Sequence, residues 1–313
     1  MRAIVFHKFG GTDVLKVGEL PLPTAQPGEV VVRVLASTVN PTDLMMRSGQ
    51  QAGMMTDLKP PYIAGMEFSG HLHQVGDASS ALQPGQAVMG IVNPRHPAGG
   101  AHAQYICVPA ASVVPVPVGM DLTAAATVPM NGLTSKLVLE ALALPAGCSV
   151  LITGSAGAVG GYVIALARRA GLRVVADAND ADRELLTEWG ADAIVPRGAT
   201  MDTTVRRLFP HGVDGLVDAA LLGNRAAALV RDGGTTVALR KTNLITDARL
   251  RNTHVGVLNE ATNTAALQWV ADRAREGVLR PRVAICLAFT QAAEAHAMLE
   301  RGGVRGRIVL TFG

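Results

Sequence analysis

The stretch that most constrains the fold is Val150-Leu-Ile-Thr-Gly-Ser-Ala-Gly-Ala-Val-Gly-Gly161. A short apolar run meets glycines at Gly154, Gly157 and Gly160. A run of small residues from Tyr162 to Ala170 follows, closed by Gly171. A second apolar run, Arg173-Val-Val-Ala-Asp177, comes directly after. Strand, glycine turn, helix and strand in so short a span predict a βαβ unit. Its chemistry is anion binding: glycines permit a tight turn and close approach of a pyrophosphate, and the free N–H groups of the helix N-terminus point at it. The spacing is Gly-x-x-Gly-x-x-Gly, a looser form than Gly-x-Gly-x-x-Gly.

With 313 residues the chain is long enough for two domains at about 100–200 residues each. Charged residues make up only 17% and apolar ones 49%, which excludes a disordered chain and permits a large core. Aromatics are 4%, so aliphatic side chains must do the packing. A net charge of +3 without a basic run gives no support to nucleic-acid binding. There is no uninterrupted apolar span of about 18 residues and no secretory pattern at the N-terminus, so a cytoplasmic protein is expected. Cys107, Cys148 and Cys286 are far apart and form no zinc-ligand pattern, which suits a reducing compartment.

Residues 1 to about 118 read as β-rich. Strands are predicted at Ala3–Phe6, Glu29–Ala36, Phe68–Val75, Gln86–Val92 and Gly99–Val108, punctuated by the turns Gln26-Pro-Gly28 and Gln83-Pro-Gly85. That pattern suggests a barrel or sandwich. Gly49 to Pro61 reads as a loop. From about Leu122 the period changes. Helices are predicted at Gly132–Leu142, Asp182–Trp189, Thr203–Phe209 and Asn224–Val230, alternating with strands at Ala191–Val195, Gly215–Asp218 and Thr235–Leu239. Alternation of this kind argues for a doubly wound parallel sheet. Helices at Ala265–Glu276 and Gln291–Glu300 and a strand at Gly306–Thr311 form the tail, read as rejoining the first domain. The expected boundaries are 1–121 with 260–313, and 122–259 inserted between them.

Further motifs run the length of the chain: Val39-Asn-Pro-Thr-Asp43 with Arg47-Ser-Gly49, Pro61-Tyr-Ile-Ala-Gly-Met-Glu-Phe-Ser-Gly70, Val128-Pro-Met-Asn-Gly-Leu-Thr134, Gly190-Ala-Asp192 and Gly306-Arg-Ile-Val-Leu310. In this order, with the glycine turn, the chain resembles the zinc-free quinone oxidoreductases of the medium-chain dehydrogenase/reductase superfamily. The resemblance implies an α/β protein in which a Rossmann domain is inserted into a GroES-like β-barrel catalytic domain, with NADPH and hydride transfer.

The resemblance also places the three catalytic zinc-ligand positions of the metal-dependent alcohol dehydrogenases at Asn40, Met66 and Asn131. None of these is a zinc ligand at ordinary geometry, and the four-cysteine structural loop is missing, so no metal is expected. Without a Lewis acid, reduction of a quinone or an α,β-unsaturated carbonyl remains feasible, given a hydrogen-bond donor for the developing oxyanion. Asn40 is the candidate beside the nicotinamide; as Asn-Pro it equally suits a turn. Tyr62 and Lys136 are the remaining pocket candidates; where many relatives hold a tyrosine after the Asn-Pro motif, this chain has Leu44, Met45 and Met46, a departure from the acid catalysis that the resemblance implies. Met45, Met54, Met66, Met130 and Asn131 are the expected substrate pocket, adaptable toward a flat apolar electrophile.

Cofactor contacts are expected from Asn40, Thr127, Gly154, Ser155, Ala156, Gly157, Ala158, Val159, Asn179, Arg183, Arg197, Leu239, Val255, Val257 and Arg307. Asn179, Arg183 and Arg197 suit the 2′-phosphate of NADPH, with Ala178 at the discriminating position; Asp177, an acid near the strand end, is the counter-indication toward NADH. Two alternatives stand beside the quinone or enone reductase: an enoyl-thioester reductase and a non-catalytic, crystallin-like NADPH-binding protein. A homodimer is expected, paired through the edge strand Thr253–Leu258.

Overall fold

The structure is a computed structural model that describes residues 1–76 and 81–313. Its strands, in chain order, are β1 (Arg2–Val5), β2 (Lys16–Glu19), β3 (Glu29–Thr38), β4 (Glu67–Val75), β5 (Ala87–Ile91), β6 (Tyr105–Pro109), β7 (Val113–Pro115), β8 (Ser149–Thr153), β9 (Arg173–Ala178), β10 (Ala193–Pro196), β11 (Val213–Asp218), β12 (Val230–Ala238), β13 (Arg251–His254), β14 (Val283–Ala288) and β15 (Arg307–Thr311). The α-helices are α1 (Pro41–Ser48), α2 (Leu122–Ala125), α3 (Pro129–Leu142), α4 (Ala158–Arg169), α5 (Arg183–Trp189), α6 (Met201–Leu208), α7 (Thr264–Arg275) and α8 (Ala292–Arg301). Two compact units result: Met1–Met130 with Leu258–Gly277 and Pro281–Gly313, and Asn131–Val257 with Val278–Arg280.

The first unit holds a seven-stranded sheet in the order β14-β15-β3-β4-β5-β7, with β6 also pairing β3, and a two-stranded β1-β2 sheet. Antiparallel pairing dominates; only β14 and β15 run parallel. Because β15 pairs with β3, the C-terminal tail completes a sheet begun near the N-terminus. Its core is built on Phe6, Phe68, Val30, Val32, Val34, Ile308, Leu310 and Phe312.

The second unit is a six-stranded sheet, β10-β9-β8-β11-β12-β13, parallel throughout. The first strand in sequence, β8, lies mid-sheet, and the order reverses between β8 and β11. In doubly wound sheets that reversal opens a ligand crevice at the carboxyl ends of the strands. Strand β8 is buried at every residue, as an apolar run with a helix layer on each face requires. One core sets Val138 and Leu142 of α3, Ile164 of α4 and Leu186 of α5 against the sheet. The other uses Met201 and Val205 of α6 with Leu216 and Leu229.

Some elements differ from the sequence expectations. Residues after Asn40, read as a turn, begin α1: Asn40 is its N-cap, Pro41 its first residue, and the Asp43 carboxylate accepts the Asn40 N–H at 2.7 Å. Pro at the first position and an acid two residues on favour a helix start as strongly as a turn. The helix predicted at Asn224–Val230 is a 3-10 segment, Gly223–Leu229, and the following strand starts early, at Val230, across a register shift. Strand β14 has no sequence expectation; its residues alternate between half-buried and exposed before Leu287, a weak signal for a strand at a sheet edge. Among the described residues, no helix is long and apolar enough to cross a membrane.

Helices α4 and α5 meet at Gly161, where a Cβ would come within 2.3 Å of the Trp189 ring. Gly161→Ala is therefore expected to lower stability by about 1–3 kcal/mol in denaturant unfolding. The pair Gly161→Ala with Trp189→Leu is expected to cost less than the sum of the two single changes.

Candidate active site

The glycine turn is shaped by sterics. Gly154 has φ +66°, and a Cβ on Gly160 would lie 2.4 Å from the Gly154 carbonyl oxygen and 2.7 Å from Ser155 Cα. Gly157 caps α4 without any side-chain bond to the helix, so the first-turn N–H groups of Ala158 and Val159 meet no capping side chain. A turn that a Cβ would fill, ahead of an uncapped helix start, fits a phosphate. Ala156, Ala158 and Val159 are half-buried around it.

Under this turn lies Asp177, only 1% exposed. One of its carboxylate oxygens accepts the Ser155 N–H at 2.9 Å, and Ser155 Oγ accepts the Asp177 N–H at 3.1 Å. The other oxygen accepts from Arg197 Nε at 3.1 Å. Burial, together with these bonds, keeps the carboxylate from a ribose. Asn179 and Arg183 are exposed on the turn after β9. Leu239 and Val255 are half-buried against the adjoining core, and Val257 is half-buried at the start of a 3-10 turn. At the end of β11, Asp218 accepts from Thr153 Oγ1 and from the N–H groups of Leu222 and Gly223. Between them Leu221 holds φ +60°, a conformation that costs free energy in a leucine and persists only where surroundings enforce it.

In the first unit a polar cluster is sealed into the sheet. Arg307 Nη2 donates to Thr38 Oγ1 at 2.7 Å, Asn40 Oδ1 at 2.6 Å and Glu67 Oε1 at 2.6 Å. Thr38 Oγ1 also donates to Glu67 Oε1 at 2.6 Å, and the Met130 N–H donates to Glu67 Oε2 at 2.9 Å. Glu67 is fully buried and Arg307 8% exposed. The Asn40 amide nitrogen points to Thr38 Oγ1 at 3.1 Å and Glu67 Oε1 at 3.5 Å. Both ends of the Asn40 amide are thus spent inside the cluster. The Met66 sulfur accepts from Thr42 Oγ1 at 2.9 Å. In the second unit, Asn131, in the first turn of α3, is buried, and its amide nitrogen has no acceptor among the described residues. Thr127 is buried, with its hydroxyl on the Ala124 carbonyl.

Tyr62, Met45 and Met54 stand elsewhere in the first unit. Tyr62 stacks on Phe9 at 5.5 Å between ring centroids, beside Phe6, and its hydroxyl meets the Leu58 carbonyl at 3.5 Å. It borders a pocket of about 280 Å³ with Ile63, Pro94 and His96, rather than the Arg307 cluster. Met45 is half-buried; Met54 is 68% exposed, with its sulfur 2.8 Å from Arg95 Nη1. Among the described residues, no three His, Cys, Asp or Glu side chains group to hold a metal ion.

Sequence reasoning missed Glu67, Thr38 and two histidines. Glu67 is the one acid of strand β4, at its first, fully buried position. His102 Nε2 lies 3.1 Å from the Thr38 carbonyl oxygen, and its ring centroid lies 5.9 Å from that of His296. Burial raises the Asp43 pKa, against the opposing pull of His102 and of the Asn40 and Gly65 N–H groups that its carboxylate accepts.

Residues 26–118 match the alcohol dehydrogenase GroES-like domain and residues 189–310 the zinc-binding dehydrogenase domain. A synaptic vesicle membrane protein VAT-1 homolog-like protein of Mus musculus is 30% identical over 79% of this chain, which spans 58% of that protein's length. An NADPH-dependent alkenal/one oxidoreductase of Arabidopsis thaliana is 28% identical over 99% of this chain and 79% of its own length. The solved quinone oxidoreductase from Coxiella burnetii superimposes with a TM-score of 0.89 at 25% identity, covering 100% of this chain and 99% of its own. The chain thus carries a GroES-like domain and a Rossmann sheet in the arrangement of the medium-chain dehydrogenase/reductase fold, and it is similar to quinone oxidoreductases and to an alkenal/one oxidoreductase.

The chain invests in buried charge. Removing one partner of the Glu67–Arg307 pair strands the other, at roughly 3–5 kcal/mol. Glu67→Ala and Arg307→Met are each expected to lose stability on that scale in urea unfolding, and the double variant to lose less than the sum. His296 is fully buried, and burial holds its pKa well below the ordinary imidazole value, aided by His102 and Arg47. The folded state therefore resists the proton that the unfolded chain accepts below about pH 6.5. Stability attributable to His296 is present above that pH and lost as pH falls below it, by up to about 1.4 kcal/mol per pH unit. Unfolding curves between pH 7.5 and 5.5 should show this slope, reduced in His296→Gln.

Proposed function

We propose that the protein is a zinc-independent, NADPH-dependent oxidoreductase that reduces quinones or α,β-unsaturated carbonyls. The carrying observation is the Arg307 cluster. At Asn40, Met66 and Asn131, where the family resemblance puts metal ligands, this chain has two amides and a thioether. The Asn40 amide is turned onto a guanidinium and the Met66 sulfur onto a hydroxyl. Such a set has no thiolate, imidazole or carboxylate for zinc. The glycine turn and α4 would hold the dinucleotide, and Arg197 its 2′-phosphate. Bound NADPH supplies a hydride.

The protein's own part is to stabilise charge as it moves onto the acceptor oxygen. Arg307 is a fixed cation held at Asn40 by three bonds. Asn131 has an amide donor that no protein acceptor uses, and in this reading it donates to the substrate carbonyl. Met66 and Met130, both buried, supply apolar, adaptable surface for a flat electrophile. A homodimer belongs to the same reading; of its expected edge strand Thr253–Leu258, only Thr253 and His254 lie in β13, at the sheet edge, and Val257 and Leu258 begin a 3-10 turn.

The test is consumption of NADPH, followed by absorbance, against a panel of quinones and enones. Turnover is expected with at least one class and is expected to survive a chelator. Asn131→Ala should lower kcat/KM by about 10²-fold, the scale of losing one oxyanion donor. Cofactor binding without turnover of any acceptor would overturn the assignment.

A further inference from the structure

An acid at the end of the second Rossmann strand ordinarily accepts from the ribose hydroxyls and selects NAD. Asp177 stands near that place, yet its environment forbids that use. It is 1% exposed. One oxygen is committed to the Ser155 N–H and the other to Arg197 Nε. The bond is reciprocal on the loop side, since Ser155 Oγ accepts the Asp177 N–H. The Arg197 backbone is fixed too, its N–H donating to the Ala178 carbonyl at 3.0 Å.

Arg197 makes its side-chain contact with the protein through Nε alone among the described residues. Its side chain is 42% exposed, so the two terminal nitrogens form an accessible fork on a rigid base. Planar, two-pronged donation is the geometry that fits a phosphate. Exposed Asp180 and exposed Arg183 carry opposite charges beside β9, so they leave no net positive field there, and the cation that the structure orients is Arg197.

We propose that Asp177 is a positioning residue that braces Arg197 against the glycine turn, and so selects a dinucleotide with a 2′-phosphate over one without. The inference rests on the NADPH reading above and deepens it: the acid that would signal NADH acts for its phosphorylated counterpart.

The test uses binding rather than turnover. Dissociation constants for 2′,5′-ADP and 5′-AMP are measured by calorimetry on the full chain, with thermal midpoints recorded for each variant. The wild type is expected to prefer 2′,5′-ADP by roughly tenfold or more. Arg197→Ala, at an exposed side chain, should abolish that preference and leave 5′-AMP affinity unchanged. Asp177→Asn keeps an oxygen for the Ser155 N–H but sets an amide donor against Arg197. It should lower 2′,5′-ADP affinity severalfold with 5′-AMP unchanged. Equal wild-type affinity for the two probes would overturn the proposal. So would a loss in Asp177→Asn that is equal for both probes, or no loss at all. If Asp177→Asn does not fold, Arg197→Lys decides in its place: it keeps the cation but loses the Nε bond to Asp177, a severalfold loss of 2′,5′-ADP affinity with 5′-AMP unchanged is expected, and an unchanged preference would overturn the proposal. Discrimination between the probes without NADPH turnover would sink the reductase assignment and leave this one standing; turnover without discrimination would do the reverse.

Discussion

A guanidinium buried beside a carboxylate is the constraint on which the first unit depends. Desolvating two charges is costly, and their attraction offsets the cost only if the remaining donors and acceptors are satisfied. Glu67 meets this by accepting from Arg307, Thr38 and the Met130 N–H. The three donors come from the last strand, the longest strand and the start of α3. One carboxylate therefore ties residues 240 positions apart. It explains how a sheet can be finished by a tail that returns after a whole inserted unit: the tail brings the cation that the buried acid needs. The polar contacts also fix direction, since Arg307 must enter with Nη2 toward Asn40. Its Nε remains buried without a partner, a cost borne by the same arrangement.

The second unit depends on absence of side chains at a few points rather than on charge. Strand β8 can be apolar throughout because both of its faces are covered, and the chain must then turn sharply to place α4 on one face. Gly154 and Gly160 allow that turn because a Cβ on Gly160 would strike the Gly154 carbonyl. Packing of α4 on α5 makes a similar demand at Gly161. These steric requirements act on the backbone, so they survive wide variation in the surrounding side chains.

That difference decides what could be read from the sequence. Backbone requirements leave residue-type signatures: the glycines from 154 to 161, the alternation of strands and helices after Leu122, and the parallel sheet they predict are all present. Side-chain networks leave almost none. Glu67 is visible as the one acid of its strand, but its partner lies in a distant strand, and no periodicity links them. The start of α1 was ambiguous because Asn-Pro begins turns and helices by the same capping chemistry; the Asp43 bond to the Asn40 N–H settles it as a helix. Asn40 was legible as a buried-site residue by resemblance, yet the commitment of its amide to Arg307 and Thr38 depends on three-dimensional contacts. Tyr62 was chosen by residue type, and its surroundings, Phe6 and Phe9, belong to the aromatic core.

Residue type and residue role come apart most clearly for polar groups under a loop. A carboxylate acts on a ligand only where its oxygens can be reached. Asp177 is buried with both oxygens engaged, and Asn40 has no spare amide hydrogen, whereas Asn131 retains both of its own. The accounting of donors and acceptors, group by group, thus reverses the order of importance that residue names suggest. On the reading proposed here, the cation beside Asn40 is a guanidinium fixed by hydrogen bonds. Unlike a metal ion it offers no open coordination position and cannot make bound water acidic. A site built this way stabilises charge that a hydride brings to an already activated acceptor, and it gives little help in drawing a proton from an alcohol. On that reading the buried Glu67–Arg307 pair bears both on how the chain closes and on the direction of its redox chemistry.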